Sequence, residues 1–81
     1  MAVKAFVLIE VAMGKTKEVT TMLENMDGVK SVDAVTGPYD VIAIVEMPDM
    51  NSLGDLVTKH IHSVSGIART VTCLTMQLEQ G

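Results

Sequence analysis

The side chains able to do chemistry in this chain are few, and most stand alone. His60-Ile61-His62 is the only histidine pair. Residues two apart on a helix do not share a face, and no Cys, Asp or Glu stands near at zinc-ligand spacing. The pair reads as a solvated helix end. Cys73 lies in mid-strand among apolar neighbours, with nothing beside it in the sequence to depress a thiol pKa; a buried structural cysteine is expected. Asp27, Asp33, Asp40, Asp49 and Asp55 are dispersed, with Asp27 and Asp49 suited to turns and caps. Asp40 differs, because it follows Gly37-Pro38-Tyr39 and directly precedes the most apolar stretch. It either ties down backbone amides in the turn or presents an anion to an ammonium group, with Tyr39 as wall or hydroxyl partner. Thr70 and Thr72 share one face of the last strand. They are either ladder-packing β residues or hydroxyls lining a polar pocket at a subunit edge; Arg69 points the other way. No acid–base pair, nucleophile triad, phosphate-cradling glycine loop or cofactor fingerprint is present. These residues point to binding rather than catalysis, and to no cofactor and no metal.

The elements that must hold them follow from periodicity. Val3 to Val11 alternates with both phases largely apolar: Val3, Ala5, Val7, Ile9 and Val11 against Phe6 and Leu8, with Lys4 and Glu10 bracketing the second face. That is a central strand covered on both sides. Lys15 to Met26 carries Val19, Met22, Leu23 and Met26 at helical spacing, and Asp27-Gly28 ends it. Val29 to Thr36 is more polar, as an edge strand should be. Gly37-Pro38 turns the chain into Asp40 to Met47, apolar on both faces. Asp49 caps a second helix whose apolar stripe is Met50, Leu53, Leu56, Val57 and Ile61; Gly54 within it allows close packing on the sheet. Ile67 to Leu78 is a long last strand. The two halves echo one another: Gly28-Val29-Lys30-Ser31-Val32 answers Gly66-Ile67-Ala68-Arg69-Thr70-Val71, each after a helix and opening a strand.

The order is β-α-β-β-α-β, a single ferredoxin-like α+β sandwich over residues 1–81, with four antiparallel strands and two helices on one face. Crossover handedness puts both helices on the same side. The other face then stays bare, yet strands one and three have no polar phase in their middles. Burying one such aliphatic side chain is worth roughly 1.5–3 kcal/mol. A symmetric dimer packed sheet against sheet is predicted. The tail Gln77-Leu78-Glu79-Gln80-Gly81 is too short and polar to cover that face instead.

Composition narrows the partners. The net charge of −4 is spread over scattered groups, with six basic residues and no basic stripe. Direct nucleic-acid binding, which needs cations against phosphates, is disfavoured. No apolar run approaches a membrane span, and no signal-peptide layout opens the chain. One cysteine cannot form an internal disulfide, which suits the reducing cytoplasm. The apolar residues are nearly all aliphatic or Met, and the aromatics that usually line ligand pockets are almost absent. The seven Met residues suit core and interface packing.

Three stretches carry a resemblance. Met26-Asp27-Gly28-Val29, Val35-Thr36-Gly37-Pro38-Tyr39-Asp40-Val41-Ile42 and Ser65-Gly66-Ile67-Ala68-Arg69-Thr70-Val71-Thr72 resemble the effector-binding (RAM) domain of the Lrp/AsnC regulators. Ala5-Phe6-Val7-Leu8-Ile9 fits its first strand, and Thr36-Gly37-Pro38-Tyr39-Asp40 is the most specific part. The resemblance implies sheet-to-sheet dimers that assemble further, often into octamers, and amino acids bound at contacts between dimers. It implies that Gly37, Tyr39 and Asp40, with Pro38 among them, form the ligand loop. Backbone amides near Gly37 would hold the ligand carboxylate, and Asp40 its ammonium group. Thr70 and Thr72 match the family's polar positions in the last strand. Typical members carry an N-terminal helix-turn-helix domain, whereas this chain opens at the first strand. The expectation is a module acting without its own DNA-binding domain, whether stand-alone or cut from a longer chain. A stand-alone module would tune a full-length regulator by mixed assembly or serve as a small amino-acid-responsive oligomer. Two other readings stand beside it: a small dimeric ferredoxin-like enzyme of monooxygenase or isomerase type, and an assembly module without ligand. The scarcity of His and aromatic residues weighs against the enzyme.

Overall fold

A computed structural model describes residues 2–76. Its elements are β1 (Val3–Val11), α1 (Thr16–Glu24), β2 (Val29–Ala34), β3 (Val41–Met47), α2 (Met50–Asp55), a π-helical continuation (Leu56–Ile61) and β4 (Ile67–Leu74). The sheet runs β2-β3-β1-β4, every neighbouring pair antiparallel. The two doubly apolar strands are therefore the central ones. The sandwich is the ferredoxin-like α+β fold that the element order implies.

The strand period sorts the sheet into two faces. Ala5, Val7, Ile9, Val41, Ala43 and Val45 are fully buried, and against them pack Val19 and Leu23 of α1 and Leu53, Leu56, Val57 and Ile61 of the second helical arm. Phe6, Leu8, Ile42, Ile44 and Val71 alternate with them in sequence and remain half-buried. They meet across strands as Phe6 opposite Ile44, Leu8 opposite Ile42, and Leu8 opposite Val71. An apolar stripe thus crosses the helix-free face, rimmed by the Lys4 ammonium 5.6 Å from the Phe6 ring centre and a Glu10–Arg69 pair at 3.9 Å.

Both helix exits depend on glycine. Gly28 and Gly66 take φ of +92° and +102°, backbone that costs a side-chain-bearing residue roughly 1–2 kcal/mol. Each also lies under the opposite helical arm. A Cβ at Gly28 would stand 2.5 Å from Met47 Sδ, and one at Gly66 would stand 2.9 Å from Lys15 Cβ. The sequence echo is therefore a packing device used twice. The start of α2 is fixed by Asp49, whose Oδ1 accepts from Ser52 N–H at 2.7 Å. That backbone bond holds the Asp49 carboxyl below its ordinary pKa.

Several expectations are corrected. Cys73 is exposed, not buried: it pairs with Phe6 on an edge strand and so belongs to the uncovered face. Met22 and Met50 are 55% and 53% exposed and lie outside the core stripe. Gly54 does not let the helix close onto the sheet, since a Cβ there would meet nothing within 4 Å. The second helix is not a regular α-helix throughout. The Thr58 hydroxyl donates to the Gly54 carbonyl at 2.8 Å, and farther on the N–H of His62 reaches back five residues to Val57 at 3.0 Å. β2 stops at Ala34 rather than Thr36, and Val35 N–H turns to the Asp40 carbonyl at 2.9 Å. β4 ends at Leu74, with Thr75 N–H still bonded to the Lys4 carbonyl at 3.0 Å. The expected strand end at Leu78 and the tail Gln77 to Gly81 lie outside the described residues.

Candidate functional site

Asp40 stands where the β2–β3 turn meets the end of β1. Its backbone N–H donates to the Ile9 carbonyl at 2.9 Å, and its own carbonyl accepts from Val35 at 2.9 Å. Its Oδ2 accepts from the N–H of Val11 at 2.8 Å. The carboxylate therefore serves as one more ladder acceptor, just beyond the irregularity between Glu10 and Val11 where β1 and β4 shift register. The amide-tying role weighed for this residue is the one the geometry displays. It uses one of the two carboxylate oxygens, and Oδ1 has no hydrogen-bond partner among the described residues. Gly37 opens the loop with φ +130° and free space about its Cα. Pro38 is exposed and Tyr39 half-buried.

Thr70 and Thr72 lie on the helix-covered side of β4, opposite Ile9 and Val7. Arg69 points to the other side, as expected from strand alternation. The Thr70 hydroxyl is 2.6 Å from His62 Nε2. This link joins the end of the π-helical arm to the edge strand, and sequence reasoning missed it. Its signal is faint: an imidazole eight positions before a threonine, across a glycine exit. Thr72 lines a groove of about 300 Å³ with Met50, Leu53, Val57 and Leu74.

The predicted ligand residues thus form two groups. Gly37 to Asp40 close one side of Ile9, and Thr70 pairs on its other side. β1 runs between them, and Asp40 and Thr70 are two strand spacings apart, ~10 Å. The groove that Thr72 lines includes no residue from Gly37 to Asp40. His60 and His62 diverge: His62 meets Thr70, while His60 lines a separate cleft beside Met26 and Asp27. Among the described residues no three His, Cys, Asp or Glu side chains gather as a metal site, and no helix is long and apolar enough to cross a membrane.

With this geometry in place, likeness to known proteins decides the lineage. The Lrp/AsnC ligand binding domain model matches residues 4–78. The chain belongs to that family. It is an effector-binding module of the Lrp/AsnC type. A homocitrate synthase of Sulfurisphaera tokodaii is 36% identical over 62 residues, which are 76% of this chain and 13% of the synthase. The chain therefore spans about an eighth of that relative's length. The structure of TTHA0845 from Thermus thermophilus superposes with TM-score 0.89 at 34% identity, covering 98% of this chain and 99% of that one. The transcriptional regulator NMB0573 of Neisseria meningitidis, in its complex with L-Met, shares the fold with TM-score 0.84 at 18% identity. There the match covers 98% of this chain and 53% of the regulator.

Proposed function

We propose that this Lrp/AsnC module is a non-enzymatic amino-acid sensor whose pocket is completed only when copies assemble. Two copies stack through the stripe of Phe6, Leu8, Ile42, Ile44 and Val71, and such dimers join further into an octamer or similar ring. The ligand sits at a contact between dimers. Amides near Gly37 take its carboxylate, Asp40 Oδ1 takes its ammonium, Pro38 and Tyr39 shape the loop, and Thr70 and Thr72 of another copy supply hydroxyls. The observation that carries this reading is the state of Asp40. Its Oδ2 is anchored on Val11, which fixes the carboxylate, while Oδ1 is left for a cation. The L-Met complex of NMB0573, a protein of the same fold, agrees with an amino acid as ligand. Binding at a contact favours the assembly that completes the pocket, so the effector acts as a population shift. The module works in the cytoplasm, touches no nucleic acid or membrane itself, and signals through a full-length Lrp/AsnC regulator by mixed assembly.

The match to a segment of a homocitrate synthase favours a second reading of the output. In it the same sensor reports to an enzyme rather than to a promoter-bound regulator.

A thermal-shift screen with the standard amino acids, run beside a sizing measurement, tests the proposal. One amino acid should raise the melting temperature, by about 2.7 kcal/mol of added stability at a hundredfold excess over Kd. Asp40→Ala should abolish the response. Silence across the whole set would leave an assembly module without ligand.

A further inference from the structure

Gly54 is a glycine that the fold does not call for. It lies inside α2, and the positive-φ glycines are Gly14, Gly28, Gly37 and Gly66, so its backbone is one that any residue adopts. A Cβ at this position would meet nothing within 4 Å. Glycine in a helix interior is less stable than alanine, and neither a turn nor a packing contact asks for it here. What the missing side chain leaves open is the groove of about 300 Å³ between α2 and β4.

The lining of that groove selects what enters. Met50, Leu53, Val57 and Leu74 are apolar, and no lining residue carries a charge. Thr58 and Thr72 bring its two side-chain hydroxyls. The Thr58 hydroxyl is already given to the Gly54 carbonyl at 2.8 Å. Thr70 has its His62 partner, whereas the Thr72 side chain makes no hydrogen bond among the described residues. A neutral apolar group suits such walls, while a charge placed there would lose water and gain no ionic partner. The volume lies at the small end of ligand pockets, which begin at ~300 Å³. Met50 and Leu74 are 53% and 47% exposed, so the mouth admits a guest held from outside the protomer.

We propose that this groove is the side-chain pocket of the effector site, with Gly54 as its specificity-determining residue. The effector is an amino acid with a neutral aliphatic or thioether side chain. The Gly37–Asp40 loop of one copy holds its ammonium and carboxylate, and the side chain enters the groove of the next copy beside Gly54, under Thr72. This rests on the amino-acid-sensor reading above and adds the class of effector and the residue that sets it.

Isothermal titration calorimetry of the full chain tests it, with L-methionine, L-leucine, L-isoleucine, L-valine, L-asparagine, L-lysine and L-aspartate as probes. One of the first four should bind about tenfold or more tighter than any of the last three, as an uncharged pocket implies. Gly54→Leu fills the groove with a good helix former. Without ligand it should melt at or above the parent temperature, yet lose about tenfold or more in affinity. A glycine with a merely structural role would not move stability and affinity in opposite directions. Met50→Asp sets a carboxylate at the rim, at the first position of α2, where the helix dipole favours it. It should weaken binding too, and it decides the matter if Gly54→Leu fails to fold. Tightest binding of asparagine, lysine or aspartate, abolished by Asp40→Ala, would overturn the groove assignment and leave the sensor standing. Apolar-effector binding unchanged in both groove variants would do the same. Silence from all four apolar probes would also overturn it, and the full amino-acid screen then decides the sensor reading separately.

Discussion

The two faces of the sheet are built from the same aliphatic alphabet, yet they meet opposite fates. Ala5, Val7, Ile9, Val41, Ala43 and Val45 are sealed by the helices at zero exposure. Phe6, Leu8, Ile42, Ile44 and Val71 lie one residue away and stay half-open. Hydrophobicity alone does not say which face is the core. Crossover handedness does, by sending both helices to one side. The sealed face is the fold's own core, whereas the open one is an apolar surface that nothing among the described residues covers, the surface through which copies are proposed to stack. Contiguous apolar surface of this kind marks association sites in soluble proteins.

Neighbouring residues on β1 offer the sharpest way to break this comparison. Ile9→Ala removes a fully buried side chain and should cost about 2–5 kcal/mol. Chemical denaturation should show that loss at every protein concentration. Leu8→Lys, one position earlier, should leave the protomer folded by circular dichroism but remove the concentration dependence of its melting temperature. If Leu8→Lys unfolds the chain outright, the two faces are not divided as described. Gly28→Ala ranks next. Positive φ and the Met47 contact together predict a loss of about 1–3 kcal/mol in the same denaturation experiment. A smaller effect is expected at Asp40→Ala. Losing the acceptor of the Val11 N–H should cost about 1 kcal/mol, and amide exchange should rise at Val11 rather than in the helices.

The smallest effect belongs to Asp49, and its sign follows from linkage. Its carboxyl is lowered in the folded state by the Ser52 backbone bond. Its contribution is therefore present above the unfolded carboxylate pKa and lost as pH falls through the folded value. Asp49→Ala should melt slightly below the parent at neutral pH, and the two curves should converge in acid. A gap that persists or widens in acid would place the cap's contribution elsewhere.

Much of this arrangement is legible in the residues. Doubly apolar runs at Val3 to Val11 and Val41 to Met47 mark the central strands, the repeated glycine exits mark the two halves, and Pro48-Asp49 marks the second helix start. These signals are local, so sequence carries them. What escapes depends on contacts between distant segments. Cys73 looks buried by its neighbours in sequence, but among the described residues no helix lies over its face. The π-helical turn arises where the Thr58 hydroxyl occupies the Gly54 carbonyl, which helical periodicity does not register. At the site, the Gly37–Asp40 loop stands out by composition. The bond from Val11 to Asp40 Oδ2 spans 29 positions and is visible only once the strands are in register. The Thr70–His62 link is hidden for the same reason.

Sedimentation equilibrium of the full chain at micromolar concentration tests the central claim most directly. A particle of at least twice the 8.7 kDa protomer mass, reduced to the protomer by Leu8→Lys, is the predicted result. A soluble protein that stays at the single-chain mass under the same conditions would contradict it.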